Sequence, residues 1–334
     1  MAIKIGREGS LGIGIERTPG TSVTASKWIP FLTCTLHGTQ EILEDEAARG
    51  IRERVGGAIA GPKRGEGDVE MLLDAMNAPY LIVPALGAVS TTAATTQAYT
   101  HTISVKSTNA PKTMTLIYDN GIASRVFTNG VINTFEIGVS DGLATLSASV
   151  LSKFPTTKTG TKSITGETIL GFKDYNLYFT TTTNSTYTTL KAAVLANTAT
   201  ATKLSALSFR YNNNAEIQHV SGDEDVESVS MGQVEIEGDY TLFFEDTTER
   251  DIYEGLDKRA MIIQFKGATV DSTTEQIFIG LPRIHLRERP IDTAIAGFLT
   301  ENPTYVAQYD TNTTQSLEIL ITNKESDSTK YEPV

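Results

Sequence analysis

The chain has 334 residues, 40% of them hydrophobic and 20% charged, with a formal net charge of −12. That length favours two domains over one and supplies ample core material, and the acidity argues against a protein that grips nucleic acid by neutralising phosphates. A single cysteine, Cys34, excludes an intramolecular disulfide and a structural zinc cluster.

Like charge does not exclude a protein that lets nucleic acid slide past without sticking. The opening "MAIKIGREGS" lacks the apolar stretch of a signal peptide. No run reaches the apolar length that spans a bilayer as a helix, so folding in a reducing cytoplasm is the simple expectation. Twelve Tyr and 12 Phe against one Trp suggest β-rich packing.

In chain order, residues 1–27 are broken by Gly12, Gly14, Pro19 and Gly20 and read as an extended arm. "WIPFLTCTLHG" (Trp28–Gly38) reads as a strand, and "RGIRERVGGAIAGPKRGEG" (Arg49–Gly67) holds a second one broken by glycines. "DVEMLLDAMNA" places Val69, Leu72, Leu73 and Met76 at helical spacing, with Asp68 as cap and Pro79 as stop. After a Thr/Ala-rich loop at 88–100, "HTISVKS", "TMTLIYDNG", "VINTFEIGVSDG" and "LATLSASVLSKF" predict an antiparallel meander joined by DNG and SDG turns. Polar "PTTKTGTKSITGET" (Pro155–Thr168) reads as a linker.

The second half opens with "YNLYFTT" and an apolar run at Leu190–Leu195. From there the order of elements in the first half recurs. "LSFRYNNNAE" resembles "LTCTLHGTQE", and "VSMGQVEIEGDYTLFFED" takes the place of the glycine-broken strand. "TTERDIYEGLDKR" takes the helix slot. "AMIIQFKG", "QIFIGLPRIHL" and "PTYVAQYD" then follow like the meander strands, at an offset near ~150 residues.

In "QVEIEGDYTLFF", period-two alternation sends Val234, Ile236, Tyr240, Leu242 and Phe244 to a core. It sends Glu235, Glu237 and Asp239 to a solvated face. Carboxylates alternating along one strand repel each other, so either the face is simply solvated or it must repel a polyanion. Downstream, Asp246 and Glu249 have capping-box spacing. Ile252, Tyr253 and Leu256 form a narrow apolar stripe, and Lys258 and Arg259 suit the helix C-terminus.

Chemistry finds little purchase. "GVSDG" (Gly138–Gly142) matches G-x-S-x-G, but a strand follows where a nucleophile elbow needs a helix, so Ser140 reads as a hairpin residue. "GREGSLGIG" and "GPKRGEGD" lack dinucleotide and phosphate-loop spacing. "DEDVE" (Asp223–Glu227) lacks the glycine and distal Glu of an EF-hand loop. Histidines 37, 101, 219 and 285 lack ligand spacing. The expectation is a non-enzyme without cofactor or metal.

The run "GREGSLGIGIERTPGTSVTASKWIPF", with its Gly-x-Gly-x-Glu, Thr-Pro-Gly-Thr and "WIPF", resembles the start of tail tube (major tail) proteins of long-tailed bacteriophages. "RYNNNAE", "GDYTLFFEDTTERDIYEG" and "LPRIHL" resemble the second half of two-domain members. The resemblance implies a mainly β fold with short flanking helices, in two tandem β-sandwich or barrel domains. The expected division is an arm at 1–27, a first domain at 28–154, a linker or insertion at 155–203, a second domain at 204–324 and a tail at 325–334.

It further implies rings that stack into a hollow tube in the virion tail, assembled in the host cytoplasm. The implied partners are other copies of the chain, the tape measure protein and the tail-tip and terminator proteins. DNA is a partner only in transit, and no membrane is involved. Glu235, Glu237 and Asp239 would face the lumen. The strand taken as their first-half counterpart carries Arg52 and Arg54 beside Glu53 and departs from a uniformly acidic lining. Glu44, Asp45 and Glu46, with Asp223, Glu224 and Asp225, are candidates for ring-to-ring contacts. If both halves line the lumen, three chains make a ring with pseudo-six-fold symmetry; if one does, six chains are needed. The alternatives are a tail terminator or decoration protein that forms single rings, a β-sandwich glycan-binding module, and, more distantly, a Ser140 enzyme.

Overall fold

The computed structural model describes residues 8–47, 50, 52, 54, 57–139, 142–157, 162–164, 168–181, 185–292, 299–326 and 328–332. Ser140 and Glu53 lie outside them. Among the described residues the fold is mainly β with three short α-helices. None of these helices is long and apolar enough to cross a membrane.

The first half holds β1 (Ser10–Ile15), β2 (Lys27–Ile29), β3 (Thr33–Cys34), β4 (His37–Asp45) and β5 (Gly57–Leu72). Helix α1 (Pro79–Leu86) follows, then β6 (Gly87–Ala93), β7 (Tyr99–Val105), β8 (Met114–Asp119), β9 (Ser124–Val139), β10 (Thr145–Ser152) and β11 (Thr156–Thr157). The second half holds β12 (Tyr175–Phe179), α2 (Tyr187–Leu195), β13 (Leu204–Asn212), β14 (Glu216–Gln218), β15 (Ser228–Ser230) and β16 (Glu235–Phe243). It continues with α3 (Thr248–Gly255), β17 (Arg259–Val270), β18 (Thr273–Glu288), β19 (Ile291–Asp292), β20 (Thr300–Glu301), β21 (Thr304–Ala307) and β22 (Glu318–Asn323).

Strand pairing repeats between the halves. The order β3–β5–β10–β9–β8 in the first matches β13–β16–β21–β18–β17 in the second, all antiparallel. On the outer layer β1 flanks β8 as β12 flanks β17. β11 pairs with the start of β9, and β22 with the start of β18. The strands β9 and β18, each of 16 residues, serve both layers, because their two ends pair with different neighbours. Asn129, at φ 54°, and a register shift between Met114 and Leu116 mark the turn-over point in β9. Leu11, Ile13, Leu116 and Phe127 of one layer share a single apolar core with Val69, Phe135, Phe209, Tyr240 and Tyr305 of the other.

Among the described residues, strand pairing joins the halves at two places. β9 pairs with β13 from Leu207↔Val139 to Asn212↔Thr134. The Thr/Ala-rich stretch, expected to be a loop, is the β6–β7 hairpin, and β7 pairs along β22 from Glu318↔Ser104 to Asn323↔Tyr99.

Several local expectations are corrected. "DVEMLLDAMNA" is no helix: Asp68–Leu72 end β5, held between β3 and β10, and the helix begins where it was expected to stop. Pro79 suits the first helical position, where no N–H partner is needed. All eight residues of α1 are buried, and Gly87 caps it at φ 93°. Trp28–Gly38 is divided among β2, β3 and the start of β4, interrupted around Pro30, whose nitrogen cannot donate to a ladder. Of the expected four-strand meander, β8, β9 and β10 pair in sequence, but β7 pairs with β6 and β22. The DNG turn is present, with Asp119 accepting from Gly121 N–H at 2.7 Å.

The helix α3 also departs from expectation. Asp246 accepts from Thr248 N–H at 2.8 Å, but Glu249 turns inward to bond Tyr240 and Arg259 instead of closing a capping box. Arg259 belongs to β17, and Leu256 is exposed as the left-handed cap of the helix. Val234, expected in the core, lies on the surface just before β16.

Candidate functional surface

One face of the sheet β3–β5–β10–β9–β13–β16–β21–β18 is buried in the core and the other is open. Alternation makes it so: Val69, Met71, Leu146, Ala148, Phe135, Ile137, Phe209, Tyr211, Ile236 and Tyr240 are all buried. Their neighbours in sequence point the other way.

Register fixes which open side chains stand opposite one another. One row runs Thr33–Glu70–Ser147–Glu136–Arg210–Glu237–Val306–His285. A second runs Asp68–Ser149–Thr134–Asn212–Glu235, and a third Leu72–Thr145–Gly138–Ser208–Asp239–Thr304–Glu288. Asp68, Glu70, Glu136, Glu235, Glu237, Asp239 and Glu288 thus share one face; Arg210 is the arginine within these rows, and Arg287 of β18 lies beside them. Arg210 stands between Glu136 and Glu237 and lowers their mutual repulsion. Arg287 reaches Glu237 at 3.5 Å. Small hydroxyl side chains fill β10, so the middle of the face is smooth.

The three acidic residues expected to act together do share this face. Asp239 is held in place: its carboxylate accepts from Ser208 Oγ at 2.5 Å. Between Glu237 and Asp239, only glycine fits at 238. A Cβ there would lie 2.2 Å from Ser208 O and 2.6 Å from the Tyr305 hydroxyl, which itself donates to Ser208 O at 3.0 Å.

The first-half counterpart of Glu235 and Glu237 is corrected by register. Glu70 pairs with Ser147 of β10 as Glu237 pairs with Val306 of β21, and Asp68 lies two residues before it. Arg52 and Arg54 instead sit beyond β4, where Arg54 is ion-paired with Glu46. Asp68 and Glu70 were missed because Val69, Leu72 and Leu73 also satisfy a helical period. The alternation Asp68-Val69-Glu70-Met71 was the signal available.

The two acidic loops lie at comparable places, each at the tip of a hairpin leading into the counterpart strands β5 and β16. They differ in environment. Beyond β10, the β4–β5 hairpin projects with both faces exposed, and Ile42 and Ile59 are 67% and 69% exposed. Glu44, Asp45 and Glu46 end it. The Asp223–Asp225 turn folds back on the first half instead. Lys63 N–H donates to Glu224 O at 2.7 Å, and Phe154 N–H to Asp225 Oδ1 at 3.1 Å. Beneath that turn Val226 and Val229 pack on Val131.

A family model described as "Phage tail tube protein" matches residues 6–319. Comparison with curated proteins yields no significant match.

Proposed function

This chain belongs to the phage tail tube protein family, and from that premise we propose that three copies close into a ring whose lumen is lined by the acidic open face of both halves. The chain is a structural tail protein. Rings stack through the β4–β5 hairpin and the Asp223–Asp225 turn, and the negative lining keeps DNA from adhering as it passes.

The observation that carries this reading is the continuous sheet. Both halves present their strands in the same order, with Asp68 and Glu70 of the first at the positions of Glu235 and Glu237 of the second on one face. If six chains were needed because one half merely decorated the outside, the two halves would have no reason to share a sheet through β9 and β13. A tail terminator, which forms a single ring, has no need of the projecting hairpin with its exposed Ile42 and Ile59.

Reversal of Glu235, Glu237 and Asp239 to Lys, alone and with Asp68 and Glu70, tests the lining. Tubes should form, since none of these side chains enters the core, but DNA ejection should slow or stall on the new cations. Normal ejection through well-formed tubes would remove the lumen assignment.

A further inference from the structure

Resting on the tube reading, we propose that ring closure repeats this chain's own internal junction: the edge His285–Glu288 of one copy pairs antiparallel with Leu32–Thr35 of the next. Inside the chain, β9 has β10 on one side and β13 on the other. Its counterpart β18 has β21 on one side, from Ile284↔Ala307 to Glu288↔Thr304. On its other side β17 reaches only to Arg259↔Ile284. Beyond Ile284 no strand among the described residues takes the place that β13 takes beside β9.

The opposite end of the sheet supplies the missing strand. β3 pairs with β5 through Thr33↔Glu70 and Cys34↔Val69, as β13 pairs with β16 through Arg210↔Glu237 and Tyr211↔Ile236. Thr33 is therefore the counterpart of Arg210. Arg210 pairs with Glu136 across the internal junction, and the counterpart of Glu136 on β18 is His285, so Thr33 of the next copy stands opposite His285.

Two side chains are unfinished in the single chain at this place. Leu32 is 50% exposed, whereas its counterpart Phe209 is fully buried between β9 and β16. His285 Nδ1 is buried without a hydrogen-bond partner among the described residues. A strand laid along this edge covers the first and brings the Thr33 hydroxyl opposite the second. It also removes two open sheet edges that would otherwise invite disordered association. Because the contact is head-to-tail, it closes into a ring only if the rotation closes. The internal junction supplies that rotation once per chain.

The test uses Thr33→Cys and His285→Cys together in a Cys34→Ser background. Directly opposed strand positions lie within disulfide reach. Tubes verified by electron microscopy and mildly oxidised should yield covalent dimers and closed trimers on a non-reducing gel. Each single variant should stay monomeric, and a mixture of the two should stop at dimers. Tubes that form without this cross-link would overturn the junction while leaving the tube reading intact. Hydrogen exchange of the unaltered protein reads the same edge without mutation: amides in both segments should slow together on assembly, and slowing of one segment alone, or of neither, would overturn it. Failure of the unaltered chain to assemble under any condition would instead remove the tube reading itself.

Discussion

The residues that hold the second half together are charged and buried. Arg259 donates to Glu249 at 2.5 Å and to the Tyr240 hydroxyl at 2.6 Å, and its guanidinium lies 3.5 Å from the centre of the Phe179 ring. Tyr240 donates in turn to Glu249 at 2.6 Å, and burial holds its phenol well above the ordinary tyrosine range. Removing the carboxylate strands a buried cation, a change that costs about 3–5 kcal/mol. Glu249→Ala should therefore lower the denaturation midpoint of the unassembled protein strongly, while Glu254→Ala, on the exposed side of the same helix, should change it little. Equal effects would contradict the buried role. The sequence shows Glu249 only beside Asp246, three residues away. Its true partners come from two other strands, and no local period announces them. The alternation of Ile236, Tyr240 and Leu242 with Glu235, Glu237 and Asp239, by contrast, was legible because a strand with one buried face writes that pattern directly.

At the scale of elements, β8, β9, β10, β16, β17 and β18 were legible from alternation and turn residues. Helix α1 and strand β6, and with it the β6–β7 hairpin, were not, although "HTISVKS" read as the strand that β7 is. "PYLIVPAL" is apolar all round and carries no face to detect, and "GAVSTTA" gains its strand character from tertiary pairing. The hairpin is clamped by His101, which is fully buried, meets Thr91 Oγ at 2.7 Å and Asn323 Oδ1 at 3.0 Å, and lies edge-on to Tyr331. Desolvation lowers its pKa, against smaller opposing effects of Asn323 and Glu325. The unfolded chain therefore binds a proton that the folded chain resists. Stability due to this site is present above the ordinary histidine pKa, about 6.5, and is lost as the pH falls below it. Urea titrations of the unassembled protein at pH 7.5 and pH 5.5 should show that loss, and His101→Gln should remove this part of the slope. An unchanged slope would show that other groups set the acid sensitivity.

At the scale of the whole molecule, the order of elements in the sequence announced a repeat, and the pairing order of the strands recurs in the same way. What the sequence could not convey is that the halves are continuous. The β9–β13 pairing joins residues some 70 apart through backbone groups, which no side-chain pattern records. In the proposed assembly that continuity makes each chain carry one complete junction and half of another at either end, so that a ring of three repeats it six times. Permanent contacts of this kind bury on the order of 2,000 Å² or more. The most direct measurement is electron microscopy of the concentrated protein together with the mass of its smallest ring by light scattering. Hollow tubes built from rings of three chains are the predicted result; rings of six chains, with one half outside the lumen wall, would contradict it.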